Sequence, residues 1–382
     1  MEIKRDLYLN KLISLKHNGL IKIITGIRRC GKSYLLNELF YNHLTSSGVD
    51  ESHIVRFAFD SADDLSLIGE SIIDMEKKKR RADPEKFMAY IRSRVVDKEM
   101  HYLLLDEVQL LDCFETVLNG YLRKSNMDVY VTGSNAKFLS KDIITEFAGR
   151  GDEIHMYPLS FSEFMTFYKG DKYEGLSEYM LYGGIPIVVL REGQGNKVSA
   201  LENLFSEIYV RDIQKRNKVK NISELEDLLN VLSSAIGSLT NPEKLKNTFR
   251  SVKKSKITAA TIKKYLDYLE DSFLLESASR YDIKGKSYIE TPKKYYFSDM
   301  GLRNARINFR QFEQTHAMEN VIYNELRMRG YKVDVGVVPI AEKDENGKVV
   351  RKQLEVDFIC NLGFIFTIHF FFFNKSSNPN SN

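Results

Sequence analysis

Eight consecutive residues carry the clearest chemistry in the sequence: Gly26-Ile27-Arg28-Arg29-Cys30-Gly31-Lys32-Ser33. Glycines at these positions let backbone N–H groups converge on phosphate oxygens without side chains intervening, and the following helix N-terminus adds its dipole. Lys32 is then placed to reach the β- and γ-phosphates, and the Ser33 hydroxyl to ligate Mg²⁺. Ile27, Arg28, Arg29, Cys30 and Tyr34 complete the stretch expected to wrap a nucleotide. The two arginines could touch it or face solvent. A second acidic half is expected at the end of a buried strand, and His101-Tyr102-Leu103-Leu104-Leu105-Asp106-Glu107 supplies it. Asp106 suits the Mg²⁺ water shell and Glu107 the polarisation of an attacking water, because phosphoryl transfer depends on positioning and charge neutralisation. Ser134 is the preferred polar sensor after the run Val129 to Thr132, with Asn135 the alternative. Arg150, on the turn Gly149-Arg150-Gly151, is a candidate arginine finger acting on a neighbouring subunit, which would require a homo-oligomer; the alternative is a solvated surface arginine.

These residues need a scaffold, and the pattern around them predicts one. Leu20 to Thr25 is a short β-branched apolar run, and Ser33 to Leu44 follows with helical spacing. Ile54 to Phe59 alternates as a strand and ends in the acidic break Asp60-Ser61-Ala62-Asp63-Asp64. His101 to Leu105 and Asp128 to Thr132 are continuous apolar runs, as in strands buried on both faces of a parallel sheet. Strands alternating with helices predict a doubly wound α/β fold. Beyond about Pro158 helical periodicities dominate. From Asn241-Pro242 onward a small DNA-binding-type module is suggested. Ile262, Tyr265, Leu266, Leu269 and Phe273 form a helical stripe, and Ala278 to Ile289 reads as a hairpin around Lys284-Gly285-Lys286. Between Glu243 and Lys264 lie Lys244, Lys246, Arg250, Lys253, Lys254, Lys256, Lys263 and Lys264 against one acid. Such a patch suits duplex DNA phosphates or, alternatively, a protein partner.

The bulk numbers bound the rest. A chain of 382 residues with 43% hydrophobic and 28% charged residues is ordinary for a multidomain globular protein. A formal charge of +4 makes any nucleic-acid footprint local. Cys30, Cys113 and Cys360 suggest neither a disulfide framework nor a zinc site and fit a reduced, cytoplasmic setting. No signal-peptide core and no membrane-length run are present, so no membrane partner is expected.

Together these motifs resemble the prokaryotic AAA-type (AAA_14-like) ATPases with a DUF4143 C-terminal region. The matching stretches are Gly26 to Ser33, Leu103 to Gln109, Val131 to Asn135, Gly149-Arg150 and Tyr157 to Phe164. Tyr209-Val210-Arg211-Asp212-Ile213 and Tyr296 to Arg303 extend the resemblance, which covers roughly residues 5 to 363. It implies ATP as the nucleotide, which local chemistry does not choose, since no Asn-Lys-x-Asp guanine-reading motif occurs. It also implies a P-loop core over 1–165, a helical lid or connector over 166–225, a winged-helix module over 226–305 and a truncated PD-(D/E)xK-like α/β region over 306–363. In that last fold Glu319 and Asp357 would be the acidic metal positions, while the expected Glu-x-Lys is missing. The segment 364–382 reads as an aberrant, phenylalanine-rich then low-complexity tail of a truncated or shifted reading frame, unsuited to a surface strand. The expectation is an Mg²⁺-dependent ATPase whose nucleotide state controls a winged-helix region on DNA or protein. The alternatives are an ATP-binding switch with negligible hydrolysis, or an ATPase-regulated nuclease.

Overall fold

Three isoleucines and a threonine make Ile21–Gly26 a strong strand former, and all six residues are buried. In the computed structural model, which describes residues 3–133, 149–310, 313–343, 349–363 and 365–367, this strand (β1) follows a first helix, α1 (Asp6–Ser14). It is flanked by β4 (Met127–Thr132) and β5 (Gly151–Met156). With β2 (Ile54–Ala58) and β3 (His101–Asp106) they form a five-stranded parallel sheet of order β2-β3-β4-β1-β5. Both faces of β3 and β4 are covered, which explains their unbroken apolar runs. Phe57, Phe87, Leu103, Leu105, Leu118 and Val129 belong to the core on one face. Lys22, in the middle of β1, is tolerated there because it pairs with buried Asp128, which also accepts from the Tyr130 hydroxyl at 2.7 Å and the His17 N–H at 3.0 Å.

Strand β5 is not apparent from the sequence. Gly-Asp-Glu-Ile-His-Met is too polar to read as buried, and it is an edge strand with only Ile154 and Met156 fully buried. The helix after the loop, α2 (Lys32–Ser46), is not wound as expected either. It is α over Lys32–Tyr34, widens to π geometry over Leu35–Phe40 and returns to α over Tyr41–Ser46. Apolar spacing alone does not distinguish these windings.

The chain divides after Pro158 into two compact units, Met1–Pro158 and Leu159–Asn382. The second unit starts as helices, among them α3 (Lys172–Tyr182) and α4 (Gln194–Asn203). Next come α5 (Ile222–Ser234), α6 (Pro242–Lys253) and α7 (Ala259–Asp271), then the hairpin β6 (Leu275–Asp282) and β7 (Ser287–Phe297). Asn241 and Thr258 cap α6 and α7 by accepting from the Lys244 and Thr261 N–H groups. Thr240, before α6, pairs with Lys293 of β7. After α8 (Met300–Arg306) and α9 (Gln314–Met328), β8 (Lys332–Lys343) returns parallel to β6 and pairs with β9 (Val349–Leu362). The segments 226–305 and 306–363, expected as separate modules, therefore share one sheet of order β10-β9-β8-β6-β7. Tyr296 and Tyr323 stack at 4.1 Å between ring centroids in its core.

One expectation for the tail is corrected. Ile365–Thr367 forms a short strand, β10, antiparallel to β9, because Gly363 takes the left-handed φ of 61° that so tight a reversal needs. Phe364 and residues 368–382 lie outside the described residues.

Asp299 fixes the start of α8. Its carboxylate accepts from the Leu302 N–H at 3.1 Å and the Gly184 N–H at 2.7 Å. A side chain at Gly183, whose φ is 74°, would collide with it: the added carbon would lie 2.1 Å from Asp299 Oδ1. Burial dominates over these hydrogen bonds and raises its pKa to about 6.

Candidate functional site

The phosphate-binding loop leaves the carboxyl end of β1, where ligands of open parallel sheets bind. Gly26 has a φ of 134° and packs so closely on β5 that an added Cβ would lie 2.0 Å from the Met156 carbonyl oxygen. Arg29 and Gly31, with φ of 66° and 102°, turn the backbone back toward α2. Ile27 and Cys30 are buried beneath the loop, Arg28 and Tyr34 are half-buried, and Arg29 and Ser33 are exposed. A residue the sequence did not single out secures this geometry. Buried Arg5 donates to the Cys30 carbonyl at 3.1 Å and the Tyr157 carbonyl at 2.7 Å, tying the loop to the end of β5.

Lys32 is only 5% exposed, yet its ammonium is held by neutral carbonyls, those of Gly26 at 2.9 Å and Ile27 at 3.0 Å. A buried cation without a contacting carboxylate suits an anionic ligand. Beside it, Asp106 at the end of β3 accepts hydrogen bonds from the Thr132 hydroxyl and from the Asn37 amide at 3.4 Å. Burial pushes the Asp106 pKa up, outweighing the Thr132 and Ser33 hydroxyls; Glu107 adds to the rise and Lys32 opposes it. The Ser33 hydroxyl acts on the same carboxylate, and a hydroxyl and a carboxylate are both hard oxygen donors, so Ser33 and Asp106 fit Mg²⁺.

Glu107 takes a left-handed φ of 51°, a conformation costing about 1–3 kcal/mol in a non-glycine residue. Its N–H donates to Thr132 Oγ1 at 3.1 Å, and the Gln109 amide donates to its carboxylate. Asp60, just beyond β2, completes an acidic group. Its pKa is raised by desolvation, then by the negative charges of Asp106 and Glu107. The sequence showed Asp60 only as part of a break, and Asn37 and Thr132 only as a helix position and a strand residue. Parallel pairing of β2, β3 and β4 brings Asp60 and Thr132 to Asp106, and the turn of α2 brings Asn37.

Of the other expected residues, one is not described and one lies away from this site. Ser134, like its alternative Asn135, lies outside the described residues. Arg150 is exposed, donates to Asn119 Oδ1 at 3.3 Å, and stands at the start of β5, where its carbonyl accepts from the Ile21 N–H. That is the edge of the sheet opposite Gly26.

In the second unit the expected acidic pair, Glu319 and Asp357, does come together, with a lysine between them. Lys294 Nζ lies 2.7 Å from Glu319, 2.7 Å from Glu355 and 3.3 Å from Asp357, and the Tyr296 hydroxyl also donates to Glu319. Burial works against the ammonium form of Lys294, but Glu319 and Glu355 outweigh it and raise its pKa. The three ammonium protons of Lys294 can each meet one carboxylate, so the lysine occupies the space between the acids where a nuclease metal would sit. No helix among the described residues is long and apolar enough to cross a membrane.

Comparison with known proteins agrees with this geometry. Residues 18–165 match the AAA domain family AAA_14, and residues 173–313 match a domain of unknown function, DUF8612. The DUF4143 assignment suggested by the sequence motifs is thereby corrected to DUF8612. The fold is similar to that of a Walker-type ATPase of Pyrococcus abyssi, with a TM-score of 0.54 at 15% identity over 80% of this chain and 96% of that one. The first unit thus has the parallel α/β fold of P-loop nucleoside triphosphatases, followed by a helical C-terminal region. An uncharacterized protein of Methanocaldococcus jannaschii is 27% identical over 94% of this chain and 74% of its own length. An uncharacterized protein of Haemophilus influenzae is 35% identical over 94% of this chain and 86% of its own length. With an AAA domain matched and that degree of identity along nearly the whole chain, the protein belongs to the family of AAA-domain proteins that includes this Haemophilus influenzae relative.

Proposed function

We propose that this protein is an Mg²⁺-dependent ATPase whose nucleotide state controls a winged-helix region that contacts duplex DNA. The observation that carries the reading is a buried, carbonyl-held Lys32 beside the buried Asp106 carboxylate, on which the Ser33 hydroxyl also acts, at the end of a parallel sheet. Lys32 and the loop N–H groups from Ile27 to Tyr34 bind the phosphates; Ser33 and Asp106 hold Mg²⁺. When bound, that ion neutralises charge building up on the phosphates. Glu107 accepts a hydrogen bond from the attacking water and orients it, with Thr132 fixing the backbone of Glu107. Ser134 senses the γ-phosphate. Arg150, standing at the far edge of its own sheet, serves as a finger only for the site of a second copy.

The winged-helix assignment rests on the order α5, strand residue Thr240, α6, α7 and the β6–β7 hairpin. Lys244, Arg250, Lys254, Lys256, Lys263, Lys264, Lys284 and Lys286 are all exposed on it, a footprint suited to phosphates. Tyr265 is buried and Tyr268 lies under Lys264, so neither is a base-stacking platform. A second reading, a nucleotide-binding switch with negligible hydrolysis, is favoured by the Gln109 amide on the Glu107 carboxylate, which occupies an oxygen that water would use.

Steady-state phosphate release separates the two. Turnover that falls about 10²–10⁴-fold in Glu107→Gln supports hydrolysis. No turnover by the wild type, with or without duplex DNA, would leave only the switch.

A further inference from the structure

A second cluster lies at the amino ends of β2 and β3, away from the phosphate edge. The register Ile54↔Tyr102 sets His53 beside His101, and their rings meet edge to face with centroids 4.7 Å apart. Asp97, in the segment leading into β3, reaches between them. Its Oδ2 is 2.9 Å from His53 Nε2 and its Oδ1 is 3.9 Å from His101 Nε2. One ligand atom from each residue lies within 4.8 Å of the others.

The state of His101 makes this more than an ion pair. Its Nδ1 is 2.8 Å from the Glu99 carbonyl oxygen, which can only accept, so Nδ1 carries a proton and, in the neutral ring, the lone pair is on Nε2. That Nε2 is fully buried, has no hydrogen-bond partner and faces Asp97. Leaving such an acceptor unsatisfied costs about 1–3 kcal/mol. A carbonyl bonded to the far ring nitrogen is also the support that orients metal-binding histidines. Asp97 is similarly held, its Oδ1 accepting from the Glu99 N–H at 2.9 Å and its carbonyl from the Asn126 amide at 3.1 Å.

We propose that His53, Asp97 and His101 form a binding site for a zinc-class divalent cation. Two imidazoles and one carboxylate favour zinc or cobalt over Mg²⁺, which takes oxygen ligands, and three protein ligands leave a position for water. The ion replaces the proton shared by His53 and Asp97 and takes up the buried lone pair of His101. Metal–ligand distances of about 2.0–2.2 Å require the ligands to close in by roughly an ångström, which the partly exposed His53 and Asp97 side chains can supply. His101 opens the strand that Asp106 closes, so the two sites lie about 16 Å apart at 3.3 Å per residue. The bound ion therefore clamps the starts of two strands and takes no part in phosphate chemistry.

The test uses the full chain, stripped by chelator and kept in excess Mg²⁺ so that oxygen-donor sites are filled. Zn²⁺ is titrated calorimetrically, and Co²⁺ is added as an absorption probe. The expected result is one tight Zn²⁺ and a Co²⁺ d–d spectrum without a thiolate band. Affinity should fall at least ~100-fold in His53→Ala and in Asp97→Asn, both at partly exposed positions. Lys32→Ala and Cys113→Ser should keep it, separating this site from the nucleotide loop and the exposed thiol. The proposal is overturned if the wild type takes up no Zn²⁺, or if His53→Ala and Asp97→Asn bind it as tightly as the wild type.

Discussion

Lys32 and Lys294 are both buried ammonium groups on chains that could have exposed them, yet their surroundings are opposite. Lys294 sits among three carboxylates, one of them a tyrosine-bound glutamate, in the second unit. Lys32 is held by two neutral carbonyls, with Asp106 acting on it at longer range. Lys22 resembles Lys294, since its charge is balanced by Asp128. A buried cation matched by carboxylates belongs to the architecture, whereas one held only by dipoles keeps its charge for something that arrives. That difference separates the candidate site from the cluster that the sequence had offered as a second one.

The comparison breaks most visibly at Lys294. Lys294→Met leaves three carboxylates facing one another and should destabilise the chain by about 3–5 kcal/mol in urea unfolding. A smaller loss is expected when Glu319→Gln is combined with it. Lys32→Ala should do the reverse, lowering ATP turnover about 10²–10³-fold while moving the unfolding midpoint little. If Lys32→Ala unfolds the protein as Lys294→Met does, Lys32 is architectural and the distinction fails.

Asp299 extends the comparison to a buried anion held by dipoles alone. Its folded pKa of about 6 exceeds the ordinary 3.8, so the folded state binds the extra proton. Its contribution is full below pH 3.8 and is lost as pH rises through about 6, a change of roughly 3 kcal/mol. Asp299→Asn should flatten that part of the stability profile, measured against wild type between about pH 4 and 7. The smallest effect is expected at the exposed cations of the second unit. Lys263→Ala with Lys264→Ala should weaken duplex DNA binding modestly and reduce the salt slope by about 0.9 for each phosphate no longer neutralised. An unchanged slope would mean that this face does not meet DNA.

Much of the first unit was legible because its signals are local. The glycine spacing from Gly26 to Gly31, the apolar run before Asp106 and the β-branched run of β1 each follow from neighbours in sequence. Strand β5 was hidden because an edge strand buries only part of its residues, and the π-wound stretch of α2 because its apolar spacing still suits a helix. In the second unit, the single sheet joining β6 and β7 to β8 and β9 was not visible, since pairing across more than fifty residues leaves no periodic trace.

The sequence by itself determined the loop chemistry: glycines where backbone must approach phosphate, then a lysine and a hydroxyl at fixed spacing. Only the tertiary structure decided which charges meet. It set Thr132, Asn37 and Asp60 around Asp106, placed Lys294 between Glu319 and Asp357, and left the His101 lone pair facing Asp97. The reason is that Coulomb and hydrogen-bond energies depend on separations of a few ångströms, and strand register sets those separations across long stretches of chain.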